Sequence, residues 1–182
     1  QSLAETVIRS RGDITAEGTA FEVDADLRPE GRRGPLSRSL GSYRTYYERW
    51  SERWEHQALL KARPVAGDAD LGRRFLAVAS ERAYPASFGD SDARAMRQMK
   101  ARIERERLPR RVEPWRHLKL GPGGLADVEW VVQLLQQRHG ADFDLIRTTT
   151  TMRALDGIED AGLVGYQDAQ WLRSGYRFLS RV

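Results

Sequence analysis

Ala20-Phe21-Glu22-Val23-Asp24-Ala25-Asp26-Leu27-Arg28 alternates strictly between apolar and charged residues. Phe21, Val23, Ala25 and Leu27 fall on one side, and Glu22, Asp24, Asp26 and Arg28 on the other, which is the period of a strand with one buried face. Pro29 has no N–H to give a ladder and ends the run. Glu30 to Pro35 reads as a turn, and Leu36-Ser37-Arg38 as a short return strand. One strand pair cannot bury itself, so the stretch predicts that the rest of its sheet lies upstream of residue 1.

On either side of this stretch the pattern is helical. Residues 2–10 predict a helix closed by Arg11-Gly12-Asp13. Ser42–Leu60 carries Tyr43, Tyr46, Tyr47, Trp50, Trp54 and Ala58 at helical spacing, and these aromatics are expected to pack as core. Pro64 and Gly67 break that run. Further helices are predicted over Asp68–Ala83, Asp92–Arg107, Leu125–Arg138, Thr151–Ala161 and Gln167–Val182. Gly140 is expected to close its helix in the left-handed conformation. Trp171, Tyr176 and Phe178 are expected to be the buried side of the last helix. The fold class is therefore α+β and mostly α, with a sheet-bearing part over 1–63 and an all-helical domain over 64–182. Gln1 is not a natural start and Val182 falls inside a helical pattern, so an internal piece of a larger protein is expected.

The 182 residues are 40% hydrophobic with a mean hydropathy of −0.62, as in folded soluble domains. No apolar run approaches the roughly 20 residues of a membrane-spanning helix, and no signal peptide is visible. Cysteine is absent, which excludes disulfides, thiolate metal sites and cysteine nucleophiles. A cytoplasmic location is expected. Of 30 basic residues only Lys61, Lys100 and Lys119 are lysines. The densest basic stretch, Arg97–Lys119, is interrupted by Glu104, Glu106 and Glu113, so it reads as a solvated helix face and not as a nucleic-acid surface.

The chemistry concentrates at Asp24 and Asp26. Two residues apart on a strand, their carboxylates would share a face about 7 Å apart. Converging carboxylates repel unless a positive charge stands between them, and a hard divalent cation is the usual answer. Arg28, one step along, could grip a phosphate through two parallel hydrogen bonds. The residues alone leave two readings open: a metal–nucleotide site, or a solvated strand edge with alternating charge.

The segment Val23-Asp24-Ala25-Asp26-Leu27-Arg28-Pro29-Glu30-Gly31-Arg32 resembles the third-carboxylate strand of the glutamine synthetase adenylyltransferases, members of the polymerase-beta-like nucleotidyltransferases. The resemblance continues through Gly34-Pro35-Leu36, Tyr46-Tyr47-Glu48-Arg49-Trp50, Trp54 to Arg63, Arg105-Glu106-Arg107-Leu108-Pro109, and His117 to Trp130, in family order. It implies transfer of AMP from ATP to a tyrosine of glutamine synthetase, with Mg²⁺ as cofactor. Asp24 would be a metal-binding and catalytic carboxylate, Asp26 a second metal contact, and Arg28 and Lys119 nucleotide contacts. Many members have arginine where Asp26 stands. The first two carboxylates belong to a Gly-Ser-x-x-Asp-x-Asp motif that this chain lacks, so the chain alone is expected to be inactive. Such enzymes have a transferring and a removing half, and Leu125-Ala126-Asp127-Val128-Glu129-Trp130 resembles the former. A PII-type signal protein is a further partner of such enzymes.

Other motifs read as structural. Leu120-Gly121-Pro122-Gly123-Gly124 precedes a helix beside Lys119 but lacks Walker spacing, so a tight turn is expected rather than a phosphate cradle. Asp127 and Glu129 diverge by about 200° around their helix and cannot face one ion. His56, His117 and His139 have no metal-ligand spacing.

Overall fold

The computed structural model describes residues 2–14, 16, 18, 23–109 and 111–182. Eight α-helices run through the described residues: α1 (Ser2–Gly12), α2 (Leu40–Arg49), α3 (Arg53–Leu59), α4 (Ala69–Ala83), α5 (Asp90–Arg107), α6 (Leu125–His139), α7 (Thr151–Asp160) and α8 (Tyr166–Leu179). The chain divides into two compact units, residues 1–51 and 52–182.

The expected strand over 20–28 does not appear in the described residues. Residues 20–22 lie outside them, and residues 23–28 run as irregular chain and turns. Among the described residues the only β pairing is an isolated bridge at Gly18, and 36–38 is irregular rather than a return strand. The local reason lies in hydrogen bonding. The Asp26 amide donates to Asp24 Oδ1 at 2.8 Å, an Asx-type turn that competes with a ladder. Mostly helical is thus the observed class.

In the first unit, α2 starts at Ser39, whose hydroxyl accepts from the Ser42 amide. Tyr46 and Tyr47 are buried, as expected, and Tyr46 anchors the preceding loop. Its hydroxyl accepts from the Glu30 amide at 3.2 Å, and Arg38 lies over its ring while pairing with Glu30 at 2.7 Å. The single helix expected over Ser42–Leu60 is two, interrupted at Trp50–Glu52. There Glu52 and Glu55 form a reciprocal capping box that starts α3 afresh. Trp50, expected in the core, is exposed at this break.

The second unit is all helical. Its core gathers Val132 of α6, Ile146, and Ala154, Leu155 and Ile158 of α7, with Leu135, Phe143, Leu163, Val164 and Leu172 around them. Gln57 of α3 donates to Gln133 of α6 at 2.6 Å. Arg173 of α8 is buried and holds Asp156 of α7 at 2.8 Å, and Glu159 as well. The side of α8 that packs inward is therefore Ala169, Leu172 and Arg173. Trp171 and Phe178, expected in the core, are 67% and 66% exposed, because they lie one position off that buried stripe. Tyr176 is half-buried and donates to Glu129 at 3.4 Å.

Gly140 corrects another expectation. Its φ is −66°, right-handed, so chirality does not require glycine here. Closeness does: a Cβ at this position would stand 2.3 Å from the Tyr84 ring. Gly140→Ala is therefore expected to lower stability by about 1–3 kcal/mol through overpacking, and Gly140→Asn by more. A left-handed cap would give the opposite order, with Asn the better tolerated. Urea unfolding of the two variants decides between them.

Candidate functional site

Asp24 and Asp26 lie on a loop that closes upon itself between residues 24 and 34. Glu30 (φ 63°) and Gly31 (φ 54°) are both left-handed, which reverses the chain sharply. Pro29 is fully buried, and Gly34 lies so near it that a Cβ on Gly34 would come 2.1 Å from the Pro29 carbonyl oxygen. This is the close approach that only glycine permits.

Arg28 sits at the centre of the loop. Its Nε donates to the Gly34 carbonyl at 3.0 Å, Nη1 to Ala25 at 2.6 Å and Nη2 to Arg32 at 3.2 Å. Each nitrogen thus has a backbone carbonyl as partner. Asp26 accepts from Nε of Arg32 through both oxygens, at 3.0 and 2.9 Å. Those side chains are 42% and 85% exposed, so the pair is worth only about 0–1 kcal/mol and opens readily. Asp24 uses Oδ1 on the Asp26 amide, and no bond to its Oδ2 occurs among the described residues.

Beside this loop is an open concavity of about 490 Å³, lined on one side by Glu5, Ile8 and Arg9 of α1 and on the other by Asp24, Asp26 and Arg32. The structure thus brings the two acids and Arg28 into one place. Sequence reasoning missed Arg9 and the pairing role of Arg32. The Glu5–Arg9 spacing marks one helix face, but nothing local to it says that this face meets the loop.

Lys119 belongs to the other unit and is exposed. The turn beside it is a closed structure. The amides of Gly121 and Gly124 donate to His117 and Gly121, and those of Leu125 and Ala126 to Leu118 and Lys119. A Cβ on Gly124 would meet three carbonyl oxygens at 2.7–3.0 Å. The amides that would cradle a phosphate therefore already have internal acceptors, and the glycines serve tight packing.

The two acids of α6 separate as their spacing requires. Asp127 accepts from the Gly123 amide at 2.7 Å and pairs with Lys100 of α5 at 2.5 Å. Burial works against the Lys100 charge, but the hydrogen bonds its ammonium donates to Asp127 and Glu104 outweigh it and hold its pKa above the ordinary range. Glu129 faces Tyr176 and lies near Lys61, whose ammonium donates to the Thr149 carbonyl at 3.0 Å and Thr151 Oγ1 at 2.9 Å. Burial lowers the Lys61 pKa, and the Glu129 charge opposes that shift. Among the described residues no three His, Asp or Glu side chains assemble in a way that could hold a metal ion.

His56 takes a structural place. Burial pushes its pKa down from 6.5 to about 4, helped by Arg53 and Arg82 and opposed by Asp92. The folded state thus keeps it neutral where the unfolded chain would take up a proton. Its contribution is fully present above pH 6.5 and is lost as the pH falls from 6.5 toward about 4. His56→Gln should therefore flatten the decline of Tm across that window. Unchanged slopes in both proteins would show that the imidazole does not report on folding.

Two family profiles match the chain. Residues 1–78 match glutamate-ammonia ligase adenylyltransferase, and residues 94–182 match GlnD PII-uridylyltransferase. Both descriptions name enzymes that transfer a nucleotidyl group. Among curated relatives, a Mycobacterium avium protein is 51% identical over all 182 residues, and a Streptomyces coelicolor protein is 52% identical over 161, or 88% of the chain. Both are named bifunctional glutamine synthetase adenylyltransferase/adenylyl-removing enzyme. The chain belongs to this family. It spans 18% and 16% of the length of these two relatives.

Proposed function

We propose that this chain is part of a nucleotidyltransferase that adenylylates a tyrosine of glutamine synthetase with ATP, releasing pyrophosphate, and so controls nitrogen assimilation. The observation that carries this is the pairing of Asp24 and Asp26 on one closed loop beside a concavity lined by arginines, in a chain 51% identical throughout to a protein of that name. Asp24 is the catalytic carboxylate in this assignment. Its Oδ1 is tied to the Asp26 amide, which fixes the side chain. Oδ2 then accepts a hydrogen bond from the incoming tyrosine hydroxyl and holds it in line with the α-phosphorus. Lys119 is retained as a nucleotide contact on its charge and exposure.

Mg²⁺ is the cofactor this chemistry calls for, and when bound it supplies charge neutralisation at the phosphates and the departing pyrophosphate. The described residues fit it in kind but not in number. Asp24 Oδ2 offers one oxygen of the hard type Mg²⁺ prefers, and Asp26 a second once Arg32 swings away. The remaining carboxylates must come from elsewhere in the polypeptide.

The relatives' name joins transfer with removal of the adenylyl group, so phosphorolytic deadenylylation is the second reading. Leu125-Ala126-Asp127-Val128-Glu129-Trp130 favours transfer. The full-length polypeptide, given ATP and unmodified glutamine synthetase, should attach AMP to the synthetase. No transfer there, with release of AMP from adenylylated synthetase by phosphate, would move the chain to the removing half. The match of residues 94–182 to a profile named for PII-uridylyltransferase supports a PII-type protein as a further partner. No helix of the described residues is long and apolar enough to cross a membrane. A cytoplasmic location remains part of the proposal.

A further inference from the structure

We infer that Arg28 is a positioning residue that holds the Asp24 loop closed, and not a group that grips phosphate. The inference rests on the assignment of Asp24 given above. An arginine that binds phosphate presents its fork of N–H groups outward. Here the fork points into its own loop, with Nε, Nη1 and Nη2 each on a different carbonyl, those of Gly34, Ala25 and Arg32.

These three carbonyls bracket the loop. Ala25 directly follows Asp24, and Arg32 and Gly34 lie beyond the left-handed reversal at Glu30 and Gly31. The guanidinium therefore ties the acid-bearing limb to the returning limb across the buried Pro29. Gly34 completes the same closure, since its lack of a Cβ lets the returning limb pass against the Pro29 carbonyl. Both residues act on where Asp24 stands without touching a substrate. Lysine cannot replace arginine here, because one ammonium nitrogen cannot reach three carbonyls that three guanidinium nitrogens now reach. Arg28 borders the concavity with its fork turned away into the loop, whereas Arg32, mostly exposed and paired only with Asp26 among the described residues, lines it together with Arg9 of α1.

The test uses the full-length polypeptide carrying Arg28→Lys, Arg28→Gln or Gly34→Ala, with Asp24→Asn beside them. All three loop variants are expected to lower kcat on the order of a hundredfold, as small misplacements of a reacting group do, with KM for ATP little changed. Arg28→Lys should rescue nothing, and Gly34→Ala, which keeps the guanidinium, should share the defect. Circular dichroism should stay near that of the parent protein, with Gly34→Ala lowering Tm only by the modest amount that overpacking brings.

Four results would overturn the inference. The first is a KM for ATP raised about tenfold with kcat kept, the mark of a phosphate contact. The second is rescue by lysine. The third is full activity in Arg28→Gln while Asp24→Asn is inactive. The fourth is global unfolding of all three loop variants, which would make Arg28 a stability residue. Full activity in Asp24→Asn is a separate failure, that of the assignment of Asp24 itself.

Discussion

Asp24→Asn in the full-length polypeptide is expected to lower AMP transfer to glutamine synthetase roughly 10²- to 10⁴-fold, the range associated with a positioned acid–base group. Asparagine keeps the shape of the side chain and an oxygen that can accept from the Asp26 amide, so the turn survives. What disappears is the negative charge at Oδ2. Asp24 is exposed, and a surface change of this kind shifts stability by no more than about 0.5 kcal/mol. Turnover should therefore collapse while thermal unfolding stays where it was. Asp26→Asn should cost far less, because Asp26 already pairs with Arg32. Retained turnover in Asp24→Asn would remove the carboxylate from the mechanism. It would favour a non-catalytic module that docks a partner protein instead.

The largest stability effect is expected at Leu155. It is fully buried in the core of the second unit, among Val132, Ile146, Ala154 and Ile158. Leu155→Ala removes its contacts and leaves a cavity, at a cost of about 2–5 kcal/mol. Trp171→Ala is the informative comparison. Helical spacing alone makes Trp171 the more imposing core residue, yet it is 67% exposed. Its loss should stay within about 0.5 kcal/mol. Urea unfolding of both variants settles the matter, and a Trp171→Ala cost equal to that of Leu155→Ala would show that α8 packs with its other face inward.

The helices were legible because their signals are local. The Asp68 cap, the Gly89–Asp92 start and the apolar run of α6 each depend on neighbours within a turn or two. The side of α8 that is buried was not legible. Arg173 goes inward because Asp156 and Glu159, from another helix, meet its charge there, and a buried charge is tolerable only with such partners. Spacing ranks residues by hydrophobicity and has no knowledge of a partner 14 or 17 positions away. The same limit explains Gly140, whose partner is the ring of Tyr84 just past the end of α4 and not the backbone twist that a terminal glycine usually signals.

Residue order along the chain was enough for the family, the helical character of residues 40–182 and the choice of Asp24 and Asp26 as the candidate acids. These rest on residue types in order along the chain, and order survives without coordinates. Tertiary structure alone decided what the side chains at the site are occupied with. Alternation placed Asp24, Asp26 and Arg28 on one strand face, all open to a ligand. The folded loop instead turns Arg28 onto three carbonyls and pairs Asp26 with Arg32, leaving Asp24 Oδ2 without a partner among the described residues. The physical reason is that the turn at Glu30 and Gly31 brings Arg32 back against Asp26 and Gly34 against Pro29. Contacts across that reversal have no periodicity in the sequence.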